Sequence, residues 1–588
     1  GDCTGGAQAS MVTHPMVQTY YFSGTNMPFA GQIVVPSYLP IYSTLSNYLS
    51  TVPGAMQGLV KHPFASDLDD NLREIDANIP IAEDTVPSVI GRILKGRYET
   101  REFDGEIETV EHESSESLIK PVKTVLIHAR GCASAKLVEK AKELKLNIIL
   151  VQSDPDMESE ASKALRKKDK LVCIGGSTPD ESYLNAMSVI RVAEREGADA
   201  LHPGIGFLSE NAQFAQLCAS HGINFIGPPV YSMEWMGNKS NATNTARDLN
   251  VPVVPGSHGV VTEPSTAAIL AEEIGYPVII KAVHGGGGKG IQVVHDPDRF
   301  ETLFVMISAE AKSAFGNGDV YLEKFVESMR HVEVQILRDT HGNTKVLGLR
   351  DCSVQRNNQK IIEESASALL PADLEKAVYK YSEDIADKVG YTGAGTVEFI
   401  FDLVNQAVYF MEMNTRLQIE HPVTELVTGV DIVKAQFEIA GGSSIKDLKF
   451  KEKDYAIELR INAEKAALGP DGELQFIPDP GTITKYEMPD ESYITLLSSI
   501  SKGQTVSPYY DSMIVQIICK GKDREDTIKK LLKYLDGVNI KGVCTNIPLL
   551  KKILADETFR SNDYDTSFLP KFIERINLKK LIKEIEKS

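Results

Sequence analysis

The sequence predicts a multidomain protein of mixed class, α/β in one part and α+β in the rest. Three observations carry that expectation. A strand–helix–strand succession starts at Val122, a run of four glycines sits between apolar strands, and a charged hairpin leads into the segment TRLQIEHP. Strands alternating with helices imply a parallel sheet of the doubly wound type. At 588 residues the chain has material for about four domains of roughly 150 residues each.

In chain order, residues 1–118 form an amino-terminal extension that resembles no catalytic module. Gly1–Ser10, small and polar ahead of Met11, reads as an expression remnant. Pro36, Pro40, Pro53 and Pro63 interrupt the next part, Thr85–Gly96 reads as a short helix, and the acidic stretch Glu102–Glu116 closes it. The extension is either a docking or dimer-stabilising arm or a surface-packed tether. Residues 119–235 form the α/β domain. Its strands are Thr124–His128, Asn147–Gln152, Leu171–Cys173, Ala200–His202 and Asn224–Ile226, with helices at Ala133–Leu144 and around Tyr183–Glu196. The Gly131 turn is too poor in glycine for a dinucleotide fingerprint.

Residues 236–452 form a third region with a lid at about 253–326. There the strand Pro277–Ala282 and the strand Ile291–His295 flank the loop His284–Gly290. Glycines let backbone N–H groups approach phosphate oxygens, and Lys281 and Lys289 offset phosphate charge. The spacing is not that of a P-loop. Residues 453–570 carry the strands Ala456–Ile461 and Met513–Cys519 and a helix near Arg524–Leu535. Residues 571–588 are a basic, amphipathic tail that reads as a solvated helix, with docking to a partner as the alternative.

Bulk composition narrows the function. The balance of 62 basic and 81 acidic residues gives −19, which argues against nucleic acid or an anionic membrane as partner. Seven scattered cysteines without CxxC spacing fit reduced thiols in a cytoplasmic setting and no zinc site. No apolar run has the length of a membrane span, and the first Lys or Arg is Lys61, so neither a signal peptide nor an Arg-rich transit peptide is expected.

The chemistry concentrates in Gly395–Pro422. Two strands, Thr396–Asp402 and Val408–Met413, turn near Asn405, so Glu398 faces Glu412. Opposed carboxylates repel across a sheet, and a hard cation, Mg²⁺ or Mn²⁺, between them relieves this. Asn414 adds a third oxygen. Arg416, Gln418 and Glu420 alternate with Leu417 and Ile419, aligning an anion-binding guanidinium with a base. The bland alternative is an amphipathic edge strand with solvated charges.

Seven blocks then fall in order: HPGIGFLSEN (202–211), MGNK (236–239), YPVIIKAVHGGGGKGI (276–291), EKFVESMRHVEVQIL (323–337), DCSVQRNNQK (351–360), the 395–425 stretch and IELRINAE (457–464). In this, residues 122–569 resemble the biotin carboxylase component of biotin-dependent carboxylases. The resemblance implies an ATP-grasp fold, with an amino-terminal parallel-sheet domain, a glycine-rich lid and a carboxy-terminal domain. It implies that Lys239 and Lys281 neutralise ATP phosphates under the loop Gly285, Gly286, Gly287, Gly288, Lys289 and Gly290. It assigns adenine recognition to the hinge Glu323, Lys324, Phe325 and Val326, packing on the base to Ile400, and other nucleotide contacts to His331 and Gln355. Glu398, Glu412 and Asn414 become ligands of Mg²⁺ or Mn²⁺ bridging the phosphates.

The same resemblance implies that Lys360, Arg416 and the backbone near Gln418 and Ile419 hold bicarbonate, with Glu420 as the base. Arg460 stabilises the enolate of biotin. Biotin is the carried substrate, on a separate carboxyl carrier protein, because no Met-Lys-Met motif occurs. A carboxyltransferase subunit specific for an acyl-CoA or a 2-oxo acid completes the expected complex, in which the chain is a homodimer or part of a larger assembly. Departures from the family pattern are HARGCASAK at 128–136, Asn357 and Asn358 for an Arg–His pair, Ile205 for Tyr and Asn238 for Asp. The competing readings are another bicarbonate-activating ATP-grasp ligase and a non-catalytic nucleotide-binding scaffold.

Overall fold

The computed structural model describes residues 9–14, 17–22, 33–36 and 121–587, apart from 258, 287, 288, 316, 358, 367, 368 and 471. The helix expected at Thr85–Gly96 lies outside them. Contacts divide the chain into two units, Gly1–Glu111 and His112–Ser588. In the first, β1 (Ala9–His14), β2 (Val17–Phe22) and β3 (Ile33–Pro36) pair antiparallel in that order.

The second unit opens with five parallel strands in the order β6-β5-β4-β7-β8. These are β4 (Thr124–His128), β5 (Asn147–Gln152), β6 (Lys170–Cys173), β7 (Ala200–His202) and β8 (Asn224–Phe225). The central strands are mostly apolar and buried, with His128, Gln152 and His202 as buried polar residues at their carboxyl ends. Helices α1 (Gly131–Glu143) and α2 (Ala186–Glu196) connect them. Gly131 takes φ +63 and Gly197 φ +71, left-handed conformations at the strand-to-helix turn and at the end of α2. The expected helix limits at Ala133 and Tyr183 move by two or three residues to Gly131 and Ala186.

Next, α3 (Lys239–Asp248) begins with Asn238 as its cap, the side chain accepting from Asn241 N at 3.1 Å. The segment expected as a lid holds a small sheet of order β10-β9-β11, with β9 (Val278–Gly286), β10 (Lys289–Val294) and β11 (Val320–Lys324). Helices α4 (Pro264–Ile274) and α5 (Phe300–Phe315) accompany it, and Ile280, Phe300, Phe304 and Leu322 form its core.

The largest sheet has eight strands. In chain order they are β12 (Met329–Arg338), β13 (Thr344–Arg356), β14 (Gln359–Ser365), β15 (Gly393–Asp402), β16 (Ala407–Asn414), β17 (Tyr455–Asn462), β18 (Ile494–Ser498) and β19 (Met513–Gly521). Their spatial order is β16-β15-β12-β13-β14-β17-β19-β18, antiparallel throughout. Helix α6 (Ala372–Lys388) packs on it through Val378 and Ile385.

Beyond β19, α7 (Arg524–Gly537) is capped by Asp523 and carries Glu525 and Asp526 in its first turn. The tail is two helices, α8 (Phe568–Arg575) and α9 (Leu578–Glu586), rather than one. Their apolar faces are buried, with Phe568, Leu581 and Ile585 inside the core that also holds Leu459 and Ile517.

Candidate active site

The β15–β16 hairpin sets the site. Asp402 closes its turn by accepting from Val404 N at 2.9 Å and Asn405 N at 3.0 Å. With that register Glu398 pairs Glu412, and β12 on the other side brings Glu333 opposite Glu398. Arg350 on β13 stands opposite Glu333. Three carboxylates and a guanidinium therefore form one row across four strands. A one-residue bulge in β16, between the Glu398–Glu412 and Phe399–Phe410 pairs, lets Met411 and Glu412 both line the cleft.

Lys360, on β14, resolves most of the repulsion in that row. Its ammonium donates to Glu333 Oε2 at 2.7 Å, Glu398 Oε1 at 3.2 Å and Glu420 Oε1 at 2.6 Å. Arg350 is fully buried and donates to Glu333 Oε1 at 2.6 Å and to Gln418 Oε1 at 3.2 Å. Glu398 Oε2 meets His331 Nε2 at 2.8 Å, while His331 Nδ1 accepts from Gln355 Nε2 at 2.7 Å. Facing carboxylates alone thus do not demand a metal here, because Lys360 already answers Glu398 and Glu412 is exposed at the rim.

Residues 415–420 are not a strand, contrary to the expected alternation; they are an irregular turn that ends in the helix His421–Thr428. Arg416, Gln418, Ile419 and Glu420 nevertheless all line the cleft. Arg416 Nε donates to Glu210 Oε2 at 2.8 Å, and Glu210 Oε1 accepts from Thr415 N at 3.1 Å. Arg460 Nη2 donates to Glu420 Oε2 at 3.2 Å and is ion-paired with Glu363.

Burial pushes Glu420 up, but the charges of Lys360, Arg460 and Arg350 outweigh it and hold the carboxyl well below the usual range. The same holds for Glu398, where Lys360 and His331 overcome burial. Glu412, though exposed at the rim, moves the other way, raised by the partial desolvation of its carboxyl in the cleft and by the Glu398 charge. Burial lowers His331, yet its contact with Glu398 raises it overall. Lys360 is raised well above its ordinary value, since the surrounding acids overcome burial.

One cleft of about 860 Å³ collects His331, Gln355, Lys360, Glu398, Ile400 and Glu412, together with Asn414, Arg416, Gln418, Ile419, Glu420 and Arg460. The remaining expected residues stand outside its lining. Lys239 is exposed at the start of α3, although its charge acts on Glu412. Lys281 on β9 is ion-paired with Glu323 on β11. Lys324 donates to the carbonyls of Gly275 and Tyr276, both at 2.8 Å. The amides of Lys324 and Phe325 are taken by Pro255 O at 2.7 Å and Pro277 O at 3.0 Å. Both amides are therefore already satisfied within the chain. Gly285, Gly286, Lys289 and Gly290 belong to the β9–β10 hairpin, whereas Gly287 and Gly288 lie outside the described residues.

Comparison with known proteins follows the same layout. The family model for the biotin carboxylase N-terminal domain matches residues 121–233, and that for its C-terminal domain matches 458–571. The carbamoyl-phosphate synthase L chain ATP-binding domain matches 238–448 between them. Biotin carboxylase 1 of Bacillus subtilis (strain 168) is 43% identical over 450 residues, 76% of this chain and 98% of the relative. The chain belongs to the biotin carboxylase family. The biotin carboxylase of Haemophilus influenzae is 41% identical over 453 residues, 76% of this chain and 98% of its own length. A biotin carboxylase–β,γ-ATP complex from Campylobacter jejuni superposes with a TM-score of 0.69 at 39% identity, covering 78% of this chain and all of that one. The biotin carboxylase domain of Hydrogenobacter thermophilus 2-oxoglutarate carboxylase, with MgADP, ADP and bicarbonate, gives 0.68 at 39% identity, with coverage of 77% and 98%.

Membership in the biotin carboxylase family makes the chain an ATP-dependent ligase with the ATP-grasp fold. The donor set fits the hard divalent ion this implies: Glu398 and Glu412 offer carboxylate oxygens, and Asn414 offers an amide. Asn414 turns its nitrogen to Glu398 at 2.9 Å and its oxygen to Arg416 at 3.1 Å, so a half-turn of the amide presents the oxygen. Asn357 takes φ +51 in the two-residue link between Arg356 and Gln359, a conformation asparagine tolerates. Asn358 lies outside the described residues. Glu333, Arg350 and Glu210 went unassigned from sequence. The alternation His331, Glu333, Gln335 was the one signal for Glu333; nothing local marked its partner Arg350.

Proposed function

We propose that this biotin carboxylase family member carboxylates biotin on a separate carrier protein, using ATP and bicarbonate. The observation that carries the reading is Glu420 held between Lys360 and Arg460 in the cleft that Glu398, Glu412 and Arg416 also line. Arg416 and Lys360 bind the bicarbonate anion, helped by backbone groups near Gln418 and Ile419. Lys239, Lys281 and the glycine hairpin 285–290 receive the ATP phosphates. His331, Gln355, Ile400 and the 323–326 hinge surround the nucleoside. Mg²⁺ held by Glu398, Glu412 and Asn414 neutralises phosphate charge when bound.

Glu420 removes the bicarbonate proton, and the bicarbonate oxygen attacks the γ-phosphorus of ATP, releasing ADP. The carboxyphosphate formed breaks into CO₂ and phosphate. That phosphate takes the proton from biotin N1′, and N1′ adds to CO₂ while Arg460 stabilises the enolate oxygen. A base held so far below its usual range is weak. Bicarbonate and phosphate oxygens that draw Lys360 and Arg460 away raise Glu420 toward the range where it accepts a proton, which ties base strength to occupied substrate sites.

The carrier and the carboxyltransferase are its expected partners, within a homodimer or larger complex. We place it in the cytoplasm, whose reducing conditions suit the free thiols found among the described residues. No described helix is long and apolar enough to cross a membrane. The test is ADP formation with Mg²⁺ that requires bicarbonate and rises on adding free biotin. Turnover unaffected by biotin favours the scaffold or another ATP-grasp ligase.

A further inference from the structure

The sheet beneath Arg460 holds more acid than the proposed reaction uses. Glu363 on β14 stands directly opposite Glu458 on β17, and both are fully buried. Arg460, two residues along β17, is ion-paired with Glu363 and donates to Glu420. Glu458 Oε1 accepts from Gln516 Nε2 on β19 at 2.7 Å. The same amide nitrogen donates to the carbonyl of Ile419 at 3.0 Å. Among the described residues, Glu363 Oε2 and Glu458 Oε2 are buried without a hydrogen-bond partner.

Directly opposed residues of an antiparallel pair have Cβ atoms about 4.5–5.5 Å apart. Two full negative charges at that spacing, out of water and beside one guanidinium, are costly. Burial pushes both carboxyls up, Glu363 adds to the rise at Glu458, and Arg460 opposes it at both. The other charged or titratable groups facing the pair are Glu420, Lys360 and the Cys132 thiol on α1.

We propose that Glu458 keeps a proton on Oε2 and donates it to Glu363 Oε2, making the pair, with Gln516, a positioning unit for Arg460 and the Ile419–Glu420 turn. One hydrogen bond then satisfies both orphan oxygens, and the pair carries a single negative charge. Arg460 keeps attraction to spare for Glu420 and for substrate instead of being drawn down between two anions. Gln516 ties the same carboxyl to the turn that carries the base. The positioning role rests on the carboxylation reading; the shared proton does not.

The experiment uses the full chain and two substitutions, Glu458→Gln and Glu458→Leu. Infrared spectra at neutral pH, in water and in D₂O, report protonated carboxyl groups without any need for turnover. A protonated-carboxyl band in the unaltered chain that disappears in Glu458→Gln is expected. In kinetics, Glu458→Leu raises KM for bicarbonate about tenfold, and Glu458→Gln, which keeps the donor, restores most of the loss. A spectrum unchanged by Glu458→Gln overturns the proposal, and so does a Gln variant no better than Leu when both are folded. Should Glu458→Leu not fold, the spectral comparison still decides the proton. Failure of the carboxylation reading shows separately, as no bicarbonate-dependent turnover in the unaltered chain.

Discussion

On the central sheet Lys360 is shared by three carboxylates at 2.6–3.2 Å, all of them buried. On the lid sheet Lys281 is ion-paired with Glu323, and both side chains are about a quarter exposed. The two lysines serve the same reaction in the proposed function, yet their settings differ sharply. A buried, cross-braced ammonium is fixed before substrate arrives, which suits a site that must orient a small anion and a base. A partly exposed pair beside a glycine hairpin gives up its partner at little cost, which suits phosphates that enter and leave. On the proposed function, preorganisation is concentrated where bonds change, and adaptability where the nucleotide is admitted.

Four measurements put that contrast at risk. The largest effect belongs to Glu420→Gln, which removes the base and leaves the lid untouched. Bicarbonate-dependent ADP formation falls by about 10³-fold while ATP binding, followed by calorimetry, is retained. Loss of both together would mean that floor and lid do not act separately. Next comes Arg350→Met, which leaves Glu333 buried with Lys360 as its remaining cation. Urea denaturation is expected to show a loss of about 3–5 kcal/mol.

The third is a pH series. Burial lowers His128 and His202, on β4 and β7, to about 4. Below pH 6.5 the unfolded chain takes up protons that these imidazoles refuse, so stability declines as pH falls from 6.5 toward 4, by roughly 3 kcal/mol for each. Glu398 and Glu420, with depressed values, keep their contribution through that window and lose it only as pH falls below the ordinary carboxylate range. The parallel sheet should therefore weaken first, and denaturation midpoints of His202→Gln against pH check it. The smallest effect is Lys281→Met: KM for ATP rises about tenfold, while stability shifts by less than about 1 kcal/mol. A stability loss as large as that of Arg350→Met would erase the contrast.

Much of the floor was legible in the sequence because alternation fixes side-chain facing. The Glu398–Glu412 register follows from the hairpin, and Asp402 and Asn405 announce its turn. What stayed hidden depends on partners far along the chain. Arg350 joins Glu333, Gln418 and Thr424, and Gln516 reaches back to Ile419, neither of which has a local signature. Residues 415–420 misled because an irregular turn can mimic period two over six positions. At the 323–326 hinge the amides of Lys324 and Phe325 bond to proline carbonyls that no local pattern pairs with them.

The pairing of β14 with β17 joins the segment matched as ATP-binding to the segment matched as the carboxy-terminal domain within one sheet. Exchanging either segment for a relative's would change one side of a shared seam, where Glu363 pairs Glu458 and Ile362 pairs Leu459. A chimera spliced between residues 449 and 454 draws the two strands of that seam from different parents, so it should be less stable than either parent unless the side chains facing across the seam match.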